Sequence, residues 1–263
     1  MRKVLIVEAE EEYRRPLLAA LEGQYEVYYA EDATEASLFL SSMAFDAMVL
    51  DLCLSGLDGL SLREKSSVED LRRVSGREAV VVADPVLLLT QEQWDREMRA
   101  PKEGPYVLCY LLGAGQLTRD AARAAARNLG LPLVTLPHLA GFRQEDLSFG
   151  DEQMLSGGPA EFVGLIRNAS MVITDSFHAA VFSLIYHRPF AVLPRFATDG
   201  STTMGSRLTD FLTEYALLGQ LFTTEALSLL HAFPEIDFTQ ADATRSRRRT
   251  ESLTYLTENL RKK

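Results

Sequence analysis

The sequence predicts an α/β protein built from two domains with parallel sheets. Short apolar runs rich in β-branched residues alternate with amphipathic stretches of helical length, which is typical of parallel strands joined by crossover helices. A polar stretch, TQEQWDREMRAPKEGP, interrupts the alternation, and a second series begins at YVLCYLLG (106–113). The chain of 263 residues also exceeds the usual size of one domain. We therefore expect one domain over residues 1–100 and another over residues 101–263.

The first domain is predicted to contain four strands in one sheet. They are the apolar runs KVLIV (3–7), EVYYA (26–30), AMVLDL (47–52) and EAVVVA (78–83). Three helices connect them: one over about 11–21, a second that begins at a cap formed by Asp32 or Thr34, and a third in SSVEDLRRVSG. We interpret Asp84-Pro85, after the fourth strand, as a turn and not as part of a catalytic group.

The second domain continues the same alternation. Its predicted strands are YVLCYLLG (106–113), LPLVTLP (131–137), MVITD (171–175) and FAVLP (190–194). Its predicted helices lie at about 117–129, 159–169, 177–187, 206–216 and 224–232, and a last helix begins near Asp242. The segment AGFRQEDLSFGDEQMLSGG between the second and third of these strands shows no regular period.

Charge and cysteine content exclude several classes of protein. The net charge of −10 argues against nucleic acid as the main partner, because phosphate contacts require a basic surface. The basic cluster at residues 245–249 is interpreted as a solvated face of the terminal helix. Cys53 and Cys109 each lie in an apolar run, so we expect reduced buried thiols in a cytoplasmic protein. No apolar run reaches the ~18 residues of a membrane span, and the N-terminus does not have the pattern of a signal peptide.

Acidic residues follow two strands of the first domain. Glu8 and Glu10 come after the first strand, and Asp51 lies at the end of the third. The carboxyl ends of parallel strands meet at one edge of a sheet, so these carboxylates are expected to lie together. Such a group of oxygen ligands suits Mg²⁺, with Glu8 and Asp51 as candidate ligands.

Residues 1 to about 60 resemble the first half of a response-regulator receiver domain. The segments KVLIVEAEEEYRRPLLAAL, AEDATEASLFL and FDAMVLDLCLSGLDGL carry the resemblance, which implies that Asp51 is a phosphoacceptor served by a histidine kinase. Two positions depart from the family: Ala9 stands where a second acid is usual, and Ala83 ends the fourth strand in place of Thr or Ser. A structural half-receiver with an idle Asp51 is the alternative.

The stretch VITDSFHAAVF places polar residues where a buried strand ends and a helix begins. Thr174 and Asp175 close the strand, Ser176 is a good helix cap, and His178 lies in the first helical turn. A helix N-terminus binds carboxylate or phosphate through its free N–H groups, and a histidine there can donate a proton. The alternative is that Asp175 and Ser176 only cap the helix and His178 is a near-surface histidine.

Residues 61 to 222 resemble the later part of a polysaccharide pyruvyl transferase. The matching segments include SLREKSSVEDLRRVSG, VVADPVLLL, YVLCYLLG, GPAEFVGLIRNASMVITDSFHAAVFSLIYHRPFAVLP and SRLTDFLTEYALL. The resemblance implies two Rossmann/flavodoxin-like domains facing across a cleft, as in two-domain glycosyltransferases. It also implies transfer of pyruvate from phosphoenolpyruvate to a pair of sugar hydroxyls of a cell-surface polysaccharide, which requires no cofactor.

The same resemblance assigns roles to individual residues. His178 is the candidate general acid, and Arg63 is a candidate ligand of the donor's anionic groups. Ser176, Arg195 and Arg207 are further candidates for substrate binding.

The seam between the two resemblances falls near residues 58–65, so the family's own N-terminal portion is replaced. Three alternatives stay open: a transferase, active or inactivated by that replacement; a receiver-like signalling or scaffold module; and a chimeric fold with no evolved activity.

Overall fold

The computed structural model describes residues 3–7, 11–21, 23–43, 47–50, 60–62, 68–75, 78–113, 115–136, 144–195, 206–223 and 235–260. Contacts divide the chain into two compact units, one formed by the elements before Val82 and one by the elements that follow. Each unit contains parallel strands and helices, which confirms the predicted α/β class.

The described residues of the first unit form five short strands and three helices. The strands are β1 (Lys3–Val7), β2 (Glu26–Ala30), β3 (Ala47–Leu50), β4 (Leu60–Leu62) and β5 (Ala79–Val81), and the helices are α1 (Glu11–Leu21), α2 (Ala33–Ser42) and α3 (Val68–Ser75). Strands β2, β1 and β3 form a parallel sheet in that order. Asp32 caps α2 by accepting a 2.8 Å hydrogen bond from the Glu35 amide, which confirms one of the two predicted caps.

The predicted four-stranded sheet is wrong among the described residues. Strand β5 pairs in parallel with β4, a three-residue strand that we did not predict, and these two strands form a sheet of their own. Alternating apolar runs indicate that a segment is extended. Which strand it pairs with depends on long-range packing, which a local sequence pattern does not record.

The described part of the second unit is built around a five-stranded parallel sheet. Its strands are β6 (Val107–Tyr110), β7 (Leu133–Thr135), β8 (Glu152–Gln153), β9 (Met171–Thr174) and β10 (Phe190–Val192). The order across the sheet is β10-β9-β6-β7-β8. The helices are α4 (Gln91–Glu97), α5 (Gln116–Leu129), α6 (Pro159–Asn168), α7 (Phe177–Ile185), α8 (Ser206–Glu214) and α9 (Thr239–Leu260). The helix predicted at 224–232 lies outside the described residues.

Burial explains why this sheet forms. Strand β9, an inner strand of the sheet, is buried at every position, as expected for a parallel strand covered on both faces. Helix α7 is equally apolar around its circumference and is buried from Phe177 to Ile185 except at His178. His178 is therefore the exposed polar position of an otherwise buried helix.

The C-terminal helix holds the segment that follows β5. Arg249 Nε donates a 2.7 Å hydrogen bond to the Leu88 carbonyl, and Arg245 donates to the Leu89 carbonyl. Ser252 Oγ accepts a 2.8 Å bond from the buried Ala83 amide. Residues 82–100, which we assigned to the first domain, thus belong to the second unit.

These contacts correct the interpretation of residues 245–249 as a solvated basic face. Arg245 and Arg249 donate to carbonyls at the end of the 3₁₀ turn Pro85–Leu88, and Arg248 forms a 2.7 Å ion pair with Glu214. Arg247 is exposed, as predicted, and pairs with Glu251 of the same helix. Within the described residues, no helix is both long enough and apolar enough to cross a membrane.

Candidate active site

Asp175 joins three segments at the carboxyl end of the central strands. Its carboxylate accepts 2.7 Å hydrogen bonds from the Leu112 and Gly113 amides, which follow β6. Arg195, after β10, donates a 2.7 Å bond to the Asp175 carbonyl and places its Nε 3.4 Å from the carboxylate. The buried Asp175 carboxylate is therefore a structural clamp between loops.

The neighbouring hydroxyls also organise this turn. Thr174 donates a 2.6 Å hydrogen bond to the Tyr110 carbonyl and accepts one from the Ser176 amide. Ser176 occupies the N-cap position of α7, as predicted, but its side chain makes no cap hydrogen bond. The Ser176 side chain instead lines a cavity beside the helix.

His178 lies in the first turn of α7 with 43% of its side chain exposed, and its Nε2 is 3.8 Å from Oδ2 of Asp84. The Asp84 side chain is only 3% exposed, and its other oxygen accepts a hydrogen bond from the Val86 amide. Asp84 does begin a turn, as we predicted, but it also brings a buried carboxylate to His178. No local pattern predicts this second role, because the two residues are neighbours only in the fold.

One cavity, which we call the histidine cavity, has a volume of about 320 Å³ and contains Ser176 and His178 in its lining. The start of α6 forms another wall, with Gly157, Gly158 and Glu161. Two helix N-termini therefore meet at this cavity, an arrangement that favours an anionic ligand. The Gly158 amide donates a 2.8 Å hydrogen bond to Glu161, and this bond lowers the pKa of the Glu161 carboxyl.

The second cavity, the carboxylate cavity, has a volume of about 330 Å³. Among the described residues, its polar lining contains three acids, one arginine and two hydroxyl residues: Asp84, Asp210, Glu214, Arg207, Thr213 and Tyr215. Phe177 and Phe211 contribute aromatic surface, and the Arg207 guanidinium lies 4.7 Å from the centre of the Phe177 ring.

The candidate site residues that the structure describes lie at different places in this region. Ser176 and His178 line the histidine cavity, Arg207 lines the carboxylate cavity, and Arg195 supports the loop through Asp175. Arg63, Glu8 and Asp51 lie outside the described residues. Within the described ranges, no group of three or more His, Cys, Asp or Glu side chains is placed to hold a metal ion.

A model of the polysaccharide pyruvyl transferase family matches residues 48–195, more than half of the chain. The chain belongs to the polysaccharide pyruvyl transferase family. The family match contains Asp84, His178 and Arg195, and it begins earlier and ends earlier than the range 61–222 that we predicted. It includes Asp51 and gives no support to the receiver resemblance of that segment.

Solved structures of two sugar enzymes are similar to the chain. A UDP-GlcNAc 2-epimerase from Methanocaldococcus jannaschii is 14% identical with a TM-score of 0.46, over 93% of this chain and 79% of that one. The glycosyltransferase SnogD from Streptomyces nogalater is 13% identical with a TM-score of 0.40, over 96% of this chain and 95% of that one. No curated protein matches the sequence significantly.

Proposed function

We propose that this member of the polysaccharide pyruvyl transferase family moves pyruvate from phosphoenolpyruvate to a pair of hydroxyls on a sugar. The observation that carries the proposal is the position of His178, a half-exposed imidazole at a cavity bounded by two helix N-termini. A proton donor beside an anion-binding surface meets the two main requirements of this reaction.

The donor is assigned to the histidine cavity because its charge fits there. Phosphoenolpyruvate carries a carboxylate and a phosphate, and helix N-termini favour both. Glu161, the acid in this lining, already accepts a hydrogen bond from the Gly158 amide and forms a 3.5 Å ion pair with Arg99. We assign to Arg63 a further contact with the donor's anionic groups, and to Ser176 a hydrogen bond from its hydroxyl.

His178 in its protonated form is the general acid of the proposed reaction. It donates a proton to the methylene carbon, C3, and the electron pair of the C2–C3 double bond forms the new C–H bond. The electron-poor C2 is attacked by one sugar hydroxyl, whose proton returns to the imidazole. Oδ2 of Asp84 lies 3.8 Å from Nε2 of His178, so the buried carboxylate stands beside the ring that gives and takes back the proton.

The remaining steps complete the ketal. The bond between C2 and the phosphate oxygen breaks, and phosphate leaves with the electron pair. The second hydroxyl then attacks C2 and its proton passes to the phosphate. In total, one C=C π bond and one C–O bond break, two C–O bonds form, and C3 and the phosphate each gain a proton. No cofactor is needed for this balance.

Signalling through Asp51 is a second candidate, favoured by the order β2-β1-β3, which is that of flavodoxin-like sheets. In this proposal Asp51 accepts a phosphoryl group from a histidine kinase, and Glu8 and Asp51 hold Mg²⁺. Incubation with acetyl phosphate and Mg²⁺ should then add one phosphoryl group to the chain and none to its Asp51→Asn variant. An unmodified wild-type chain would reject this function.

The main proposal is tested first by calorimetry with phosphoenolpyruvate. We expect saturable binding that is weakened more than tenfold in Arg63→Ala and only a few-fold in His178→Ala. His187→Asn is the matched control, because His187 lies beyond the other end of α7 and pairs with Asp242 at 2.9 Å. Its positive φ is compatible with asparagine. Absence of binding by the folded wild-type chain would overturn the donor assignment.

A further inference from the structure

We propose that the carboxylate cavity is the binding site for the sugar acceptor. The proposal rests on the proposed function, since it gives the second substrate a place within the same unit. The ligand is a neutral sugar with free hydroxyls, and polar residues of the cavity lining bind it.

The cavity has the size and the surfaces that a sugar ring requires. Its volume of about 330 Å³ lies within the range of small-molecule sites. The turn that contains Asp84 forms one wall, helix α8 forms another, and Phe177 from the start of α7 contributes an aromatic ring. Carboxylates accept hydrogen bonds from hydroxyl groups, and the guanidinium of Arg207, which lies over the Phe177 ring, donates to them.

The charge of the cavity lining favours a neutral sugar over the anionic donor, phosphoenolpyruvate. Asp84, Asp210 and Glu214 outnumber Arg207 in the carboxylate cavity, even though Arg248 outside the lining forms an ion pair with Glu214. Such a lining repels the carboxylate and phosphate of phosphoenolpyruvate. Hydroxyl groups of a neutral sugar meet no such repulsion, and we assign the Asp210 carboxylate and Oε2 of Glu214 as their acceptors, since Asp84 is only 3% exposed.

A metal ion is a weaker explanation of these acids. The described residues hold no group of three or more His, Cys, Asp or Glu side chains arranged to bind a metal. Glu214 is already engaged by Arg248 at 2.7 Å, and Asp84 accepts the Val86 amide. The acids are therefore spread around a cavity instead of converging on one point.

The cavity also lies beside the proposed general acid. Asp84 lines the carboxylate cavity, and its Oδ2 is 3.8 Å from Nε2 of His178, which lines the histidine cavity. Phe177 and His178 are consecutive residues of α7 and face different cavities. A sugar in the carboxylate cavity thus lies on the Asp84 side of the Asp84–His178 pair, and a donor in the histidine cavity lies on the His178 side.

The test measures sugar binding and donor binding separately on the full chain. Saturation-transfer NMR with methyl β-D-galactopyranoside and methyl β-D-glucopyranoside, which offer free 4- and 6-hydroxyls, reports the first. Calorimetry with phosphoenolpyruvate reports the second. The variants are Asp210→Asn, which removes one acceptor charge, and Thr213→Trp, which fills the cavity from its exposed rim.

We expect transfer to at least one glycoside in the wild-type chain and a loss of more than fivefold in both variants, with donor binding unchanged. Asp120→Asn is the matched control, since Asp120 is an exposed acid of α5 outside the cavity lining. Thermal unfolding of every variant verifies the fold.

No transfer in a wild-type chain that binds phosphoenolpyruvate would overturn the acceptor site alone, as would unchanged transfer in Thr213→Trp or equal loss in Asp120→Asn. Transfer that depends on the cavity in a chain without donor binding would support the sugar site and overturn the donor assignment instead.

Discussion

The imidazole of His178 lies 3.8 Å from the carboxylate of Asp84, although the two residues belong to segments far apart in the chain. The distance is too long for a direct hydrogen bond, but it places a nearly buried carboxylate next to the half-exposed imidazole. Asp84 lines the carboxylate cavity and His178 the histidine cavity, so the pair lies at the boundary between the two.

Substitution of His178 by asparagine should lower pyruvyl transfer by about 10²–10⁴-fold, the usual contribution of a general acid. Donor affinity should change only a few-fold, because the helix N-termini remain. Release of inorganic phosphate in the presence of a sugar acceptor measures turnover. His187→Asn should keep wild-type turnover, and an equal loss in both variants would contradict the assignment.

Asp84→Asn should reduce turnover at least tenfold while the fold is retained. Asparagine keeps an oxygen for the Val86 amide but removes the negative charge beside His178. Asp84→Ala should in addition lose about 1 kcal/mol of unfolding free energy, because the cap of the turn is deleted. Steady-state kinetics and urea unfolding distinguish the two effects, and wild-type turnover in Asp84→Asn would remove Asp84 from the site.

Asp175→Asn should destabilise the second unit by about 2–4 kcal/mol, because one amide hydrogen bond to a charged group is lost and a buried donor is left without a partner. Asparagine offers one acceptor oxygen where the Leu112 and Gly113 amides require two. Chemical denaturation measures the loss. Arg195→Ala should cost less, since that side chain is 39% exposed and solvent screens its ion pair. A larger loss of unfolding free energy in Arg195→Ala than in Asp175→Asn would contradict the role of Asp175 as the residue that holds these loops together.

Ser252→Ala should lower the free energy of unfolding by about 1–3 kcal/mol, because the buried Ala83 amide loses its acceptor. Thr250→Ala is the control: Thr250, like Ser252, donates to the carbonyl four residues earlier in α9, but it is exposed. Denaturant midpoints of both variants provide the comparison. If Thr250→Ala were as destabilising as Ser252→Ala, the loss would come from the helix and not from the contact with Ala83.

Cys109 should resist alkylation in the folded protein. The residue is 1% exposed, and burial raises the pKa of its thiol, so little reactive thiolate is present at neutral pH. The measurement is iodoacetamide labelling followed by mass spectrometry in a Cys53→Ser background. Labelling should become rapid only in denaturant, and rapid labelling of the native chain would show that β6 opens readily.

Local pattern was sufficient to predict most of the individual elements. Helix α1 was predicted over its observed range, and every predicted strand that lies within described residues contains a strand in the structure. The two missed strands, β4 and β8, have three and two residues, which is too short for a periodic signal.

The sequence by itself determined the alternation of strands and helices and placed Ser176 and His178 where a buried strand meets a helix. Those features depend on neighbouring residues, whose period and capping chemistry are visible in the chain. Tertiary structure alone decided that β5 pairs with β4, that Asp84 lies beside His178, and that arginines of α9 hold the turn after β5. The physical reason is that these contacts join distant segments through packing and burial, and no local pattern records which distant carbonyl, amide or carboxylate a side chain will meet.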